Sequence, residues 1–402
     1  MANKLKKKPP YKILVIPSWY PPDGGYFFRE HSNALAENGF EVDVIYAQAV
    51  GIKNFKTNDF SLFNKIETKK GEKVTENIYK FLRMPLLQRW NMQSWLQKML
   101  RLYDSYKEKQ GQPDIILAHS SIWGGVVAEK INKKHGIPYI ITEHRSRFVN
   151  NFPEARQLFK PWYFPLLEKA FGNATAVVTV SDSLQPFIIE IAPKVEKKIR
   201  TIFNMVDVEY FSPPKNVTDN EKFTLFSLGN LEPVKGFDTL IKAFSLLPGR
   251  IRATIKLVIG GEGSQRKNLE YLVGQKGLQD SISLTGKLTP SEVLENYQKA
   301  DAFVLASNFE AFGVVYIEAM SCGLPVIATK AGGPQGFVKP TQGILVKPGS
   351  SQELAEAIEK IIQNHQKFDR QAIRQYTIKT FGHQVIANQY KSLLDEIINC
   401  KE

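Results

Sequence analysis

From Tyr11 onward, short apolar runs alternate with stretches whose apolar residues recur at helical spacing, the pattern of a doubly wound parallel sheet. Lys12 to Pro17, Val42 to Ala47, Asp114 to His119, Pro138 to Thr142 and Ala176 to Val180 are expected as strands of a first half. Helices are expected from about Phe27 to Asn38, stopped by Gly39, and from Ile122 to His135. Ser181 and Asp182 are placed to cap the helix that follows the fifth run. Phe223 to Leu228, Ile255 to Ile259, Ile282 to Thr285, Ala302 to Ala306 and Pro325 to Thr329 restart the alternation. The polar stretch Lys215 to Lys222 reads as a linker into this second half. A chain of 402 residues is too long for one ordinary core and suits two domains of roughly 200 residues.

Residues 50 to 110 break the alternation. Tyr79, Phe81, Leu82, Met84, Leu86, Leu87, Trp90, Trp95 and Leu96 are interleaved with Lys80, Arg83, Arg89, Lys98 and Arg101. Two readings stand: an amphipathic helix packed on its own sheet, or an interfacial helix lying on a membrane.

The chemistry concentrates in Ser307 to Phe337, where Glu310 and Glu318 lie eight residues apart. Phe312, Gly313, Val314 and Val315 read as a loop turning into a helix that stops near Gly323-Leu324-Pro325. A helix start has unpaired N–H groups and partial positive charge, so this turn suits a phosphate or diphosphate. A carboxylate can hold two neighbouring sugar hydroxyls, and carboxylates on both sides of a phosphate site suggest a nucleotide sugar. The plainer reading is an amphipathic helix with two solvated carboxylates. Upstream, Gly229-Asn230-Leu231-Glu232-Pro233-Val234-Lys235-Gly236 follows a strand, and Phe237, Leu240, Ile241 and Phe244 mark the helix it opens. Lys235 sits at that mouth, where it can neutralise a leaving diphosphate. Gly261, within Gly260-Gly261-Glu262-Gly263, is expected in the nucleotide wall. In the first half, Gly24 and Gly25 would let substrate approach the backbone, or simply make a tight turn. Glu143-His144-Arg145 forms a polar cluster at a strand's carboxyl end.

The Glu310 to Glu318 spacing and the Gly229 to Gly236 segment resemble the corresponding motifs of retaining glycosyltransferases of family 4, which have the GT-B fold. The resemblance implies two facing Rossmann-like domains with an inter-domain cleft. It divides the chain into an acceptor-binding domain, 1–207, and a donor-binding domain, 208–384, with a C-terminal helix from about 385 to 402 returning to the first. By the same resemblance Glu310 contacts the transferred sugar, Glu318 the ribose, and His144 the donor sugar from across the cleft. Thr285-Gly286-Lys287-Leu288 resembles the segment that meets the base through backbone groups, and the Gly24 and Gly25 loop, with Arg145, belongs to the acceptor side. Three positions depart from the family pattern: Asn230 stands where an Arg is usual, Met205 where a Gly is usual, and Gln335 where a Glu usually follows Gly332-Gly333.

Charge sharpens the picture. Residues 1–200 hold 31 basic against 19 acidic residues, and the remainder 22 against 21, so nearly all of the net +13 lies in the first half. That asymmetry fits an anionic membrane face or a phosphate-bearing acceptor; no nucleic-acid-binding pattern accompanies it. Cys322 and Cys400 make no disulfide framework, which points to a reducing compartment; Cys322 reads as a packing residue. Lys4, Lys6, Lys7 and Lys8 precede no apolar signal-peptide core, and no run reaches bilayer length. The expectation is a cytoplasmic protein, with peripheral contact on the inner face of the plasma membrane an open extension.

The function expected is retaining transfer of a hexose-type sugar from a UDP- or GDP-type donor to a sugar, lipid-linked or polysaccharide acceptor, with no metal and no cofactor. A nucleotide-sugar-binding accessory protein without turnover is the alternative, and the missing Arg at Asn230 its main support.

Overall fold

The computed structural model describes residues 10–21, 24–51, 63–71, 73–84, 87–149, 157–215 and 221–399. Cys400 lies outside them. Two sheets carry the fold. The first holds β1 (Lys12–Pro17), β2 (Glu41–Gly51), β3 (Ile66–Lys70), β4 (Val74–Arg83), β5 (Ile115–His119), β6 (Tyr139–Glu143), β7 (Ala176–Thr179) and β8 (Ile199–Thr201), in the order β3-β4-β2-β1-β5-β6-β7-β8. Only β3 runs antiparallel to its neighbour. The second sheet is wholly parallel and holds β9 (Phe223–Leu228), β10 (Ile255–Gly260), β11 (Ile282–Gly286), β12 (Ala302–Leu305), β13 (Val326–Thr329) and β14 (Gly343–Val346), in the order β11-β10-β9-β12-β13-β14. The central strands are apolar on both faces because helices cover both; β5 and β6 are buried at every position.

In each sheet the chain order reverses beside the first strand, between β1 and β5 and between β9 and β12. Reversal sends the two flanking loops apart and leaves a crevice at the carboxyl ends of the strands, where ligands of such sheets bind. All of the candidate loops follow strands that border these crevices or adjoin them.

Residues 50 to 110 differ from the single helix expected there. Val74, Glu76 and Ile78 are buried while Thr75, Asn77 and Tyr79 are not, the period of two of a strand, and Tyr79 to Arg83 continue it as β4, paired in parallel with Ala47 to Gly51 of β2. The helix begins only at Gln88 and runs to Gln110. It buries Met92, Trp95, Leu96, Met99, Leu102, Tyr103 and Tyr106, and the Trp95 indole N–H donates to Ala47 O at 2.7 Å. The helix is therefore packed on its own sheet, while Leu82, Met84, Leu87 and Trp90 at its approach stay 36 to 51% exposed. The short strands β8 and β14 were not anticipated.

A terminal helix, His383–Asn399, lies on the first unit. The Tyr390 and Thr142 hydroxyls are 3.0 Å apart, the Tyr11 hydroxyl donates to Asp395, and Arg200 pairs with Glu396 at 2.6 Å. Phe203 from the connecting segment packs with Phe312, Phe337 and Phe381, centroids 5.6 to 6.4 Å away. Among the described residues no helix is long and apolar enough to cross a membrane. Cys322 is fully buried, and burial pushes its thiol up to about 12, in keeping with a packing role.

Candidate active site

The loop after β9 is folded hard against the end of β12. Gly236 has φ +64°, and a Cβ there would fall 2.1 Å from Ala306 O, so no other residue fits this approach. Asn308 completes the tie, its backbone N–H donating to Val234 O at 2.8 Å and its side-chain amide to Pro233 O at 3.1 Å. The result is that Lys235 Nζ donates to Glu310 Oε2 at 2.6 Å, an oxygen that the Ser307 hydroxyl also approaches at 3.3 Å. The Glu310 backbone is fixed from the other side, N–H to Ala331 O and C=O from Gly333 N–H, each at 2.8 Å. Gln335, the departure from the usual Glu, accepts the Gly332 N–H at 2.9 Å and holds the same turn.

Gly313, at φ +89°, opens the helix Val314–Ser321, whose first turn has no acidic residue and whose start has no side-chain cap. The partial positive charge there is uncompensated. The Phe312 side chain is buried in the aromatic cluster with Phe337 and Phe381, so what this turn offers a ligand is backbone. Glu318 lies in the helix's second turn, partly exposed. Its Oε2 accepts from the Tyr297 hydroxyl at 3.0 Å, a hydroxyl also 3.1 Å from Val315 O. Burial pushes the Glu318 carboxyl up to about 7; the Tyr297 hydrogen bond opposes the shift, and the Glu30 carboxylate of the first unit adds to it.

Gly229, Gly261 and Gly286 form the adjoining wall. Gly229 N–H donates to Gly260 O at 3.1 Å and Gly261 N–H to Gly286 O at 2.7 Å. A Cβ on Gly261, at φ +133°, would sit 1.9 Å from Gly229 O. Leu288 packs over Gly260, while Asn230 and Lys287 are exposed.

In the first unit the buried Glu143 folds the turn after β6. One carboxylate oxygen accepts Ser121 N–H and Oγ–H at 2.9 and 2.6 Å, and the other accepts the backbone N–H groups of His144 and Arg145, both at 3.0 Å. His144 Nε2 lies 3.0 Å from His119 Nδ1, with its ring against Phe27 and Phe28. Burial, then the nearby His31, brings its pKa down to about 3, although the Asn204 side chain works the other way. His144 is therefore a neutral imidazole at ordinary pH, able to share a proton through a hydrogen bond but not to act as a cation. No hydrogen bond joins it to Lys235 or Glu310. Arg145 stacks over Trp19 at 4.4 Å and donates from Nη2 to Ile122 O at 2.7 Å. Gly25, at φ +74°, brings the backbone so close that a Cβ would meet Trp19 O at 2.8 Å, and Gly24 precedes it at φ +96°; together they press this loop onto the Trp19 that Arg145 covers.

The two units touch at the site itself. Ser181 makes no capping bond to its own helix, contrary to expectation; its hydroxyl donates instead to Ala311 O, 2.6 Å away and across the cleft. Gly332, at φ +116°, faces Ser183 and Val149 so closely that a Cβ would come within 3.1 and 3.0 Å of them. Sequence reasoning missed Ser181, Ser307 and Tyr297 as parts of the site. Ser181 and Ser307 each follow a strand at its carboxyl end, which was the available signal; Tyr297, inside a helix, gave none.

Residues 209–380 match the family model described as Glycosyl transferases group 1, and residues 24–210 match that of Glycosyltransferase Family 4. The chain belongs to this glycosyltransferase family. The glycosyltransferase is 32% identical over 201 residues to an uncharacterized glycosyltransferase of Methanocaldococcus jannaschii, a match spanning 47% of this chain and 51% of that one. It is 28% identical to the putative teichuronic acid biosynthesis glycosyltransferase TuaC of Bacillus subtilis, over 86% of this chain and 88% of that one. Among solved structures, sucrose-phosphate synthase from Thermosynechococcus elongatus aligns with a TM-score of 0.79 at 22% identity, covering 97% and 99% of the two chains. Anabaena HepE in complex with UDP aligns at 0.72 and 22%, covering 96% and 100%. The architecture is GT-B.

Proposed function

We propose that this glycosyltransferase moves a hexose-type sugar from a nucleotide-diphosphate donor to an acceptor hydroxyl with retention at the anomeric carbon, in the building of a surface polysaccharide or glycolipid. The observation that carries the reading is the Lys235–Glu310 contact of 2.6 Å at the crevice between β9 and β12, beside the uncapped helix start at Gly313. A diphosphate seated there would take Lys235 as counter-ion and the amides of Phe312 to Val315 as donors. Glu310, released from the Lys, would accept hydroxyls of the sugar, and Glu318 those of the ribose. Gly229, Gly261, Lys287 and Leu288 would enclose the base, and neutral His144 would meet the sugar from the first unit. Two similar proteins support the donor and product classes: HepE was solved with UDP, and TuaC is named for teichuronic acid.

Negative charge grows on the departing diphosphate as the glycosidic bond breaks, so Lys235 and the helix start stabilise the transition state more than the bound donor. Closure over the Ser181–Ala311 contact would keep water from the sugar cation. In a front-face transfer the leaving phosphate takes the proton of the acceptor hydroxyl. All of the positive charge in this scheme comes from protein groups, so turnover should need no metal. We further propose a cytoplasmic enzyme whose exposed Leu82, Met84, Leu87 and Trp90, flanked by Arg83 and Arg89, rest on anionic lipid.

The test is hydrolysis of UDP-, GDP- and ADP-sugars without acceptor and with EDTA, comparing the intact protein with Glu318→Ala. Slow release of one nucleotide that the variant loses supports the reading. Stabilisation by a nucleotide without turnover under any acceptor supports the accessory-protein alternative, and no stabilisation by any donor overturns both.

A further inference from the structure

A cavity of about 620 Å³ opens in the first unit, away from the Lys235–Glu310 pair. It is lined by the loops after β1, β5 and β6, the ends of β2 and β4 and the start of the helix Gln88–Gln110. Ser18 comes from the loop after β1, Trp123 from the loop after β5, Arg145 from the loop after β6, Arg83 from β4, Gln88 and Asn91 from the helix, and Trp162 and Tyr163 from a short turn. Its size is that of a site for a ligand of a few rings.

Two features of the lining are chemically directive. Trp123 and Trp162 lie parallel, centroids 5.4 Å apart and planes 4° apart, with Tyr163 edge-on to each. Flat aromatic faces held this rigidly suit the apolar C–H faces of pyranose rings. The charged lining is two arginines, and among the described residues no carboxylate lines the cavity. Arg83 is exposed at the rim and Arg145 lies deeper. Glu143, two residues from Arg145, is bonded to Ser121 and to backbone N–H groups and attracts the guanidinium through space. The Arg145 guanidinium makes one hydrogen bond, to Ile122 O, and its buried Nε has no partner. Burial lowers its pKa to about 10, against the pull of the Glu143 carboxylate. An arginine fork presents paired donors that match a carboxylate or a phosphate.

We propose that this cavity is the acceptor site and selects an acidic acceptor: a saccharide whose terminal ring stacks on Trp123 or Trp162 while a carboxylate or phosphate on it, or next to it, is held by Arg145 and Arg83. The inference rests on the glycosyltransferase reading above and adds the acceptor's chemical class to it. The acid group of a uronic sugar and the phosphate of a lipid-linked glycosyl diphosphate share this chemistry. The site is linked to the proposed transfer centre through the chain, since Arg145 follows His144, and Ser18, whose hydroxyl donates toward His119 O and Ser120 O, ties the loop after β1 to the end of β5, where His119 meets His144.

The test measures binding directly, so that it does not depend on turnover. Quenching of tryptophan fluorescence is titrated with a glucuronyl disaccharide and its methyl ester, and with octyl glucosyl phosphate and octyl glucoside. Donor-site binding is measured separately by thermal shift with UDP, GDP and ADP. The proposal expects one acidic probe to bind at least tenfold tighter than its neutral partner. That preference should fall at least fivefold in Arg145→Gln and in the exposed-rim variant Arg83→Gln, and affinity for both members of the pair should fall in Trp162→Ala, with nucleotide shifts unchanged in all three. Which probe is preferred, carboxylate or phosphate, identifies the source of the anion. Equal binding of acidic and neutral probes, or a preference that survives both arginine variants, overturns it. No binding of any probe by a protein that still shifts with nucleotide also overturns it and leaves the glycosyltransferase reading intact. Absence of nucleotide shifts alongside acidic-probe binding would sink that reading while the acidic site stands.

Discussion

Lys235 and Glu310 follow β9 and β12, neighbouring strands at the point where the second sheet reverses, and their side chains meet at 2.6 Å with Lys235 about a quarter exposed. The ammonium is thus already held at the crevice mouth by a partner that a diphosphate can replace. In the proposed transfer, removing it would take away a preorganised charge at the leaving group, an effect worth about 2.7–4 kcal/mol. Lys235→Ala should lower kcat by about 10²–10³-fold with a smaller change in donor KM, and Lys235→Arg should recover part of it. Initial-rate kinetics check this; a loss under tenfold would remove Lys235 from the leaving-group role.

Glu318 makes stability fall as pH rises. Its carboxyl titrates near 7 in the folded protein against an ordinary value of 4.5. Between those values the folded chain keeps a proton that the unfolded chain has released, so the stabilisation is complete below about pH 4.5 and is lost through pH 7. Glu318→Gln keeps an acceptor for the Tyr297 hydroxyl and has nothing to titrate. Melting curves at pH 5 and pH 8 should show the intact protein losing about 5–10 °C more than the variant, the shift expected of roughly 2.5 kcal/mol by linkage at about 2–4 °C per kcal/mol. Parallel curves would place the Glu318 carboxyl at its ordinary value. If Glu318 holds two ribose hydroxyls as proposed, donor binding should tighten as its carboxylate forms around pH 7.

The strands Lys12–Pro17 and Phe223–Leu228 and the helix after Gly313 were legible because each is written locally, as an apolar run with its own stop signals. The Glu310 to Glu318 spacing, which runs from the loop after β12 into that helix, was legible for the same reason. Tyr79 to Arg83 were not, since a stretch that mixes Lys and Arg with aromatics, one strand in from the sheet edge, has neither a clean apolar run nor a clean alternation. Ser181 failed differently. Its capping signature is genuine, but a partner 130 residues away, Ala311 O, takes the hydroxyl, and no local pattern announces a contact between units. His144 was found by its place after β6, yet its pairing with His119 follows from two strand ends meeting in space.

The Ser181–Ala311 bond is buried and joins the two units next to Glu310. Ser181→Ala removes the donor and leaves a carbonyl unpaired, which costs about 1–3 kcal/mol. We expect a melting temperature lower by about 2–4 °C per kcal/mol and a larger radius of gyration by solution scattering with donor bound. An unchanged melt and radius would mean that the bond does not hold the closed form.

Exposed Leu87 and Trp90, at 51 and 49%, border Arg83 and Arg89 on the approach to the helix Gln88–Gln110. Each basic residue near an anionic surface contributes about 1 kcal/mol, and the apolar pair adds insertion. Flotation with vesicles containing phosphatidylglycerol should recover the intact protein and lose most of it in Leu87→Ser/Trp90→Ser. Neutral vesicles, or high salt, should recover little of either. Equal flotation of intact protein and variant would move the membrane contact elsewhere.

Asn230 is the departure with the clearest electrostatic consequence. It is exposed in the loop that carries Lys235, and its backbone carbonyl accepts the Glu232 N–H at 2.7 Å, so its side chain can be changed without undoing the turn. An arginine there would add a fixed charge and a two-pronged donor to the diphosphate side of the crevice. Hydrogen bonds to charged groups are worth about 1.5–3 kcal/mol, and an exposed one sits at the low end, so Asn230→Arg should lower donor KM by about tenfold. The gain should shrink with added salt, because the new contact is reachable by counter-ions. If donor KM is unchanged at low salt, the diphosphate does not pass this loop, and the phosphate site must be assigned to the helix start at Gly313 alone.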